Sequence, residues 1–160
     1  MTRIAHCSCG SLHAEATGVP AFVGACHCIE CQRRTGSPFG VSIYFPKEHV
    51  RTEGPSKVYV RGSDSGRKIE RHFCPNCGST VFWFAEFFPD LIGIAVGAFA
   101  DPSMPPPTVS VWETTAASLG DFRSPTRSLW ASTRAKQRRC HGPPLSARAA
   151  RIGPAKGGGG

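Results

Sequence analysis

Short segments in which apolar and polar residues alternate recur through the first 113 residues, a period typical of β-strands with one buried face. Near the N-terminus, Leu12, Ala14 and Ala16 alternate with polar neighbours until Gly18 breaks the pattern. β-Branched and aromatic residues predict further strands at residues 41–45, 57–60, 68–73, 80–84, 91–99 and 109–112. No segment shows a long helical period, so the pattern predicts a mainly β domain over residues 1–113.

The sequence changes character after residue 113. Residues 114–160 are rich in Arg, Ala, Pro and Gly and contain few apolar side chains. Such a segment cannot bury enough surface to offset the entropy lost on ordering. We therefore predict an irregular, disordered C-terminal tail, with at most a loosely held helix around residues 129–139.

The net charge of +8 belongs to this tail. Residues 1–113 hold ten Lys and Arg and ten Asp and Glu, whereas residues 114–160 hold nine basic residues and one acidic residue, Asp121. The N-terminal domain therefore has no net charge with which to steer a nucleic acid towards it. Any weak contact with nucleic acid is expected from the tail.

The cellular compartment determines how the eight cysteines are interpreted. The first seven residues lack the apolar stretch that follows a basic start in a signal peptide. The longest apolar run, residues 91–100, is about half the length of a membrane span. We expect a cytoplasmic protein without a membrane partner, in which clustered thiols are metal ligands or catalysts rather than disulfides.

The densest chemical motif is Cys26-His27-Cys28-Ile29-Glu30-Cys31. In an extended segment, Cys26 and Cys28 would face the same side, and a turn could bring Cys31 to the same point. Three sulfurs can hold a tetrahedral metal ion and leave its fourth position open, as in catalytic zinc sites. His27 would point to the opposite face, so we interpret it as a packed histidine rather than a ligand.

Two further cysteine motifs complete a set of seven. Cys74-Pro75-Asn76-Cys77-Gly78 is a zinc-knuckle sequence, and Cys7 and Cys9, if they lie on a strand, present both sulfurs on one face. A division into four plus three is natural, with the local triplet as the three and the remaining cysteines as the four. Spacing alone also allows Cys31 to join Cys74 and Cys77. Cys140, in the tail, has no partner motif, and we interpret it as a bystander.

Arg33 and Arg34 follow the triplet and could bind the carboxylate of a substrate near the metal. The alternative is that both are solvated surface arginines. The sequence contains no Ser-His-Asp pattern and no obvious pair of carboxylates, so a metal would carry the chemistry.

This combination of motifs resembles the glutathione-dependent formaldehyde-activating enzyme family, also called the centromere protein V/GFA family. The resemblance covers roughly residues 3–113. It rests on the N-terminal Cys-x-Cys, on Cys26-His27-Cys28-x-x-Cys31-x-Arg33-x-Thr35-Gly36 and on Phe73-Cys74-x-x-Cys77-Gly78.

The resemblance implies a β-tent of small antiparallel sheets organised around two zinc ions. It implies a structural zinc on Cys7, Cys9, Cys74 and Cys77 and a second zinc on Cys26, Cys28 and Cys31, the latter three being catalytic. It further implies a carbon–sulfur lyase that condenses glutathione, as co-substrate, with formaldehyde to S-(hydroxymethyl)glutathione, or a related reaction of a thiol with a small carbonyl compound.

The chain departs from this family after Trp112, where members usually continue with another strand and a Trp-containing segment. We interpret the tail as the product of a frameshift. Two alternatives to the enzyme follow: a non-catalytic zinc-binding module whose basic tail contacts nucleic acid or another acidic partner, and an inactive relic. The sequence leaves the oligomeric state open.

Overall fold

The structure, a computed structural model, describes residues 1–63 and 66–117. Within these residues it contains ten strands, one α-helix and three short 3₁₀ helices. The strands are β1 (Thr2–His6), β2 (His13–Thr17), β3 (Phe22–Cys26), β4 (Gly40–Pro46), β5 (Val50–Glu53), β6 (Lys57–Gly62), β7 (Lys68–Phe73), β8 (Thr80–Ala85), β9 (Leu91–Ala95) and β10 (Val109–Val111). The helix is α1 (Ile29–Thr35), and the 3₁₀ helices are Lys47–His49, Val96–Phe99 and Glu113–Thr115.

The strands form two sheets, which confirms the prediction of a mainly β fold built from small sheets. The first sheet has three antiparallel strands in the order β1-β2-β5. The second has seven strands in the order β10-β3-β4-β9-β8-β7-β6. Its neighbours are antiparallel, apart from the edge strand β10, which runs parallel to β3.

Side chains from both sheets pack into one hydrophobic core. The predicted alternation in the small sheet is confirmed, because Ala14 and Ala16 of β2 are buried while Thr17 is exposed. The large sheet contributes Phe45 from β4 and Ile94 from β9, both buried. Burial of this apolar surface is the main favourable contribution to folding.

The structure corrects three local expectations. The segment 91–99 is a strand only to Ala95, after which a 3₁₀ helix ends at Ala100 in the left-handed conformation, with φ 48°. The N-terminal Cys-x-Cys lies in the turn after β1, where the amide of Gly10 donates to the carbonyl of Cys7. The turn predicted at residues 29–30 is the start of α1, whose seven residues are too few to show a helical period in the sequence.

The predicted boundary between domain and tail, at residues 113 and 114, falls inside the 3₁₀ helix Glu113–Thr115. The described chain continues to Ala117. The predicted disorder of the tail from residue 118 onwards, the helix around residues 129–139 and the bystander role of Cys140 concern residues outside this described part, and the frameshift stays a prediction.

Among the described residues, no helix combines the length and the apolar character that a membrane span needs.

Gly93 allows the large sheet to form beside the site described below. It lies opposite Trp83 in the β8–β9 pair, and a Cβ atom built on Gly93 would clash with the Nε1 and Cε2 atoms of the Trp83 indole. The Trp83 side chain is 5% exposed, so it has little room to move away. A side chain at position 93 must therefore displace Trp83 or the backbone.

We predict that Gly93→Ala lowers the free energy of unfolding by about 1–3 kcal/mol, because it overpacks the contact with Trp83. Urea denaturation followed by tryptophan fluorescence measures this change. Gly62→Ala is the matched control, since Gly62 has no atom within 4 Å of its Cβ position, and a change within about 0.5 kcal/mol is expected. Equal stabilities of the two variants would contradict the prediction.

Candidate metal centres and the adjoining cavity

Two turns bring four cysteines together. Cys7 and Cys9 follow β1, and Cys74 and Cys77 lie between β7 and β8. Their four sulfur atoms lie within 4.8 Å of one another. The sulfur of Cys9 is 3.5 Å from that of Cys7 and 3.6 Å from that of Cys74. Sulfurs bound to one tetrahedral zinc at about 2.3 Å lie about 3.8 Å apart, so this four-cysteine cluster has the dimensions of a closed zinc site.

Hydrogen bonds hold the two turns and their sulfurs in place. The Ser8 amide donates to the Ser79 hydroxyl at 3.2 Å, which joins the two turns, and the Leu12 amide donates to the Cys7 sulfur at 3.2 Å. Hydrogen bonds from the Ser11 hydroxyl and amide lower the pKa of Cys9 to about 5. Burial raises the pKa of Cys7. Thiolate is the metal-binding form of cysteine, and the lowered pKa of Cys9 favours this form.

The second cluster is formed by Cys26, Cys28 and Cys31, whose sulfurs also lie within 4.8 Å of one another. Cys26 ends β3, Cys28 is the residue before α1 in an extended conformation, and Cys31 lies in the first helical turn. The Cys31 amide donates to the Cys28 carbonyl at 3.0 Å. Residues three apart on a helix are neighbours, so the helix start produces the convergence that the sequence assigned to a simple turn.

Electrostatics favour a thiolate in this three-cysteine cluster. A hydrogen bond from the Cys26 thiol lowers the pKa of Cys31 to about 5, and the positive charges of Arg34 and Arg71 act in the same direction. The same hydrogen bond and burial raise the pKa of Cys26. Soft thiolate donors are the ligands that zinc prefers, so both clusters fit the ion that the sequence suggested.

The structure places the cysteines in the groups of four and three that spacing favoured. Among the described residues, Cys31 does not share a cluster with Cys74 and Cys77, the other division that spacing allowed. His27 lies between two cysteines of the triplet, and its ring centre is 5.5 Å from that of Phe39.

A cavity of about 750 Å³ adjoins the three-cysteine cluster, and all three of its cysteines line this cavity. None of the cysteines of the four-cysteine cluster does. The two clusters therefore differ in their relation to this cavity: the triplet lines a space large enough for a small-molecule ligand, and the four-cysteine cluster does not border it.

One wall of the cavity is a network of aromatic rings. Phe22 stacks on Tyr44 with ring centres 4.5 Å apart, and Phe88 meets Tyr44 edge-on at 5.4 Å. The indole nitrogen of Trp83 donates to the Tyr44 hydroxyl at 3.3 Å. Aromatic pairs in these arrangements stabilise one another beyond the area that they bury, so this wall is largely pre-formed.

Positively charged arginine side chains also line the cavity. Five of them line it, namely Arg33, Arg34, Arg61, Arg67 and Arg71, and among the residues that the structure describes the one carboxylate in the lining belongs to Glu30. The Arg34 guanidinium lies over the Trp83 ring, 4.9 Å from its centre. Arg33 is 74% exposed and pairs with Glu30 at 3.2 Å. Of the two arginines that the sequence suggested, Arg34 is therefore the better placed to meet a ligand.

Sequence reasoning missed Arg61 and Arg71, which come from β6 and β7 and belong to no motif. One signal could have found Arg71. In β7 the alternation places it on the same face as Ile69, and both are buried. An arginine in the inward-facing position of a strand is rarely buried without a partner, so it marks a polar site.

The segment after β10 forms part of the cavity wall. The Thr115 hydroxyl donates to the His27 carbonyl at 2.9 Å, and the Gln32 side-chain amide donates to the carbonyls of His27 and Thr115 at 2.7 and 2.9 Å. Trp112 and Thr115 line the cavity. The loop that carries Cys26 and Cys28 is thus tied to the last described helix.

A solved structure has a similar fold. A crystal structure of a Rhodobacter sphaeroides protein matches with a TM-score of 0.50 and 20% sequence identity, over 64% of this chain and 91% of that chain. No curated protein matches the sequence. The family described as glutathione-dependent formaldehyde-activating enzyme matches residues 2–115, which include both cysteine clusters and every residue that lines the cavity. The chain therefore belongs to the glutathione-dependent formaldehyde-activating enzyme family.

Proposed function

We propose that the protein is a zinc-dependent carbon–sulfur lyase that condenses glutathione with formaldehyde to S-(hydroxymethyl)glutathione. The observation that carries this proposal is the opening of the three-cysteine cluster into a cavity lined by arginines and aromatic rings. The family match supports the reaction class. A cytoplasmic location, where glutathione is available, is part of the proposal.

The two clusters would have different roles. Cys7, Cys9, Cys74 and Cys77 would hold a structural zinc, because four thiolates complete a tetrahedral shell. Cys26, Cys28 and Cys31 would hold the second zinc as the catalytic residues. A zinc ion bound by these three would supply an open position at which a substrate thiol loses its proton.

The reaction needs few other groups. A bond forms between the glutathione sulfur and the carbonyl carbon, the π electrons of the carbonyl move to its oxygen, and this oxygen takes up a proton. The chain contributes by holding the thiol and the small carbonyl compound together in the cavity, which converts a bimolecular encounter into a local one. The aromatic wall, with Phe22 stacked on Tyr44 and Trp83 bonded to the Tyr44 hydroxyl, would give that space one apolar side.

Arg34, with Arg33 at the rim, would hold a carboxylate of glutathione. A guanidinium recognises a carboxylate with two parallel hydrogen bonds, which fixes both distance and orientation. Arg34 is kept in place by the Trp83 ring on one side and by the backbone at Gly40 on another, where a Cβ would lie 2.7 Å from its Nη2 atom. The ligand would therefore meet an arginine whose conformation is already restricted.

We predict two zinc ions per chain in protein purified without chelator. Cys28→Ser is expected to bind one, because the four-cysteine cluster is intact. Cys77→Ser should lose the structural ion and melt at a lower temperature, since metal binding and folding are coupled. Mass spectrometry of the bound metal, together with thermal unfolding by circular dichroism, measures both. One zinc or none in the unmodified protein would contradict the division into two sites.

We predict that Cys28→Ser forms S-(hydroxymethyl)glutathione no faster than the spontaneous reaction, because the variant retains the cavity but lacks one of the three sulfurs. NMR exchange spectroscopy on mixtures of glutathione and formaldehyde measures the rate above background. An unmodified protein that adds nothing to the spontaneous rate while binding two zinc ions would instead favour a non-catalytic zinc-binding module.

A further inference from the structure

Strand order divides the cavity into a polar end and an apolar end. One face of the seven-stranded sheet forms most of its floor, because residues of β10, β3, β4, β8, β7 and β6 line it. Arg71 of β7 and Arg61 of β6 lie at one end of this floor. The edge strand β10 lies at the other end and contributes Val109 and Val111. The two ends therefore offer different chemistry to a ligand.

The apolar end adjoins the three-cysteine cluster. β10 runs parallel to β3 and places Val111 opposite Cys26 and Val109 opposite Gly24. Side chains at paired positions point to the same face of a sheet, so Val111 lies beside a cysteine of the cluster. Gly24 also lines the cavity and has no side chain to fill the space beside Val109. A group attached to an atom at the cluster can therefore reach β10 without crossing the arginine-lined end.

Val109, Val111 and Trp112 form an apolar strip along this end, since all three line the cavity. They are 45%, 42% and 51% exposed, so about half of each residue remains accessible. Single exposed apolar side chains are common, but three that face one cavity are typical of a ligand-binding surface. Contact with an apolar group would remove this surface from water, which is favourable.

The backbone holds Trp112 in a conformation that is unfavourable for a bulky residue. Its φ of 61° and ψ of 42° lie in the left-handed region, which such residues seldom adopt. The Thr115 amide and hydroxyl donate to the Trp112 carbonyl at 3.2 and 3.0 Å, and the His27 amide donates to the Val111 carbonyl at 3.0 Å. These bonds fix the backbone on both sides of Trp112. Strained residues of this kind cluster at ligand sites, where the strain positions a side chain in advance.

We propose that the apolar strip is a subsite for the substituent of the carbonyl substrate, and that the protein acts on aliphatic aldehydes larger than formaldehyde. This inference rests on the proposed function, because it names the carbonyl compounds that the same cavity takes. Formaldehyde carries no substituent and leaves the strip uncovered. An unbranched aldehyde such as butanal places its carbonyl carbon at the cluster and its chain along Val109, Val111 and Trp112.

The covalent step is an addition that balances without a further reactant. The thiol sulfur forms a bond to the aldehyde carbon, the π electrons of the carbonyl become a lone pair on its oxygen, and the proton released by the thiol ends on that oxygen. The product is a hemithioacetal that keeps every atom of both reactants, so no oxidant or reductant is needed. The alkyl chain stays on the carbon that is bonded to sulfur.

S-Alkylglutathiones test the strip without the reaction. S-Methylglutathione and S-butylglutathione share the peptide and differ in the apolar group on the sulfur, where the aldehyde chain lies in the product. Isothermal titration calorimetry of the full chain, purified without chelator, measures the ratio of the two Kd values. A general structural defect would weaken both probes and leave this ratio unchanged, whereas a change in the strip alters the ratio.

The variants are chosen to keep the backbone as it is. Val111→Thr makes the strip more polar at nearly constant shape, and Trp112→Asn removes the indole with a residue that tolerates the left-handed conformation. Val58→Thr is the matched control. Val58 is 49% exposed on β6, the edge strand at the opposite end of the same sheet, and it does not line the cavity.

We expect the unmodified protein and Val58→Thr to bind S-butylglutathione about tenfold or more tightly than S-methylglutathione, because each buried methylene contributes up to about fourfold in affinity. Val111→Thr should reduce this ratio by about threefold or more, and Trp112→Asn should reduce it further, since each removes apolar contact. The Kd of S-methylglutathione should stay within about twofold of the unmodified value in both variants.

Equal affinity for the two probes in the unmodified protein, no measurable binding of either probe, or an unchanged ratio in both strip variants would overturn the subsite. NMR exchange spectroscopy with glutathione and either formaldehyde or butanal separates this outcome from failure of the proposed function. If neither aldehyde reacts faster than the spontaneous rate but the ratio falls in both strip variants, the strip binds an apolar group and the reaction fails. If formaldehyde alone is accelerated, the reaction stands and the assignment of larger aldehydes does not.

Discussion

Sulfur atoms that carry negative charge repel one another at the short separations found in both cysteine clusters. A metal ion bound to the sulfurs would offset this repulsion, and each cluster has a geometry that could hold one. In the four-cysteine cluster, the sulfurs come from a turn after β1 of the small sheet and a turn between β7 and β8 of the large sheet. An ion there would cross-link the two sheets at one end of their shared core, with the hydrogen bond between Ser8 and Ser79 beside it.

The three-cysteine cluster is also built from cysteine sulfurs, but they all come from one short stretch of chain. A strand end, an extended residue and the first turn of a seven-residue helix bring its sulfurs together, so little of the chain is needed to build it. The three sulfurs lie on the wall of a cavity. The local geometry thus separates a closed cluster from an open one, although both use cysteine alone.

Packing of the large sheet controls the other side of this cavity. Gly93 leaves room for the Trp83 indole, which supports Arg34 by stacking and donates to the Tyr44 hydroxyl. Trp83 also lies opposite Arg71 in the sheet register. The aromatic wall and the cavity arginines Arg34 and Arg71 therefore share Trp83 as a support, and a change in sheet packing at Gly93 would reach them without contacting them directly.

The sequence by itself determined the strands of the large sheet from residue 41 onwards, the burial pattern of β2 and the local triplet of Cys26, Cys28 and Cys31, because alternation and ligand spacing are local properties. Spacing also allowed Cys31 to join Cys74 and Cys77, and the fold decided the grouping by bringing Cys7 and Cys9 beside that pair. The sequence missed the strands β1, β3 and β5, which carry weaker patterns, and α1, which is too short to show a period. Tertiary structure alone decided which cluster opens into a cavity. It also brought Arg34, Arg61 and Arg71 together, since strand register and helix placement, not sequence distance, set the spacing of their charges.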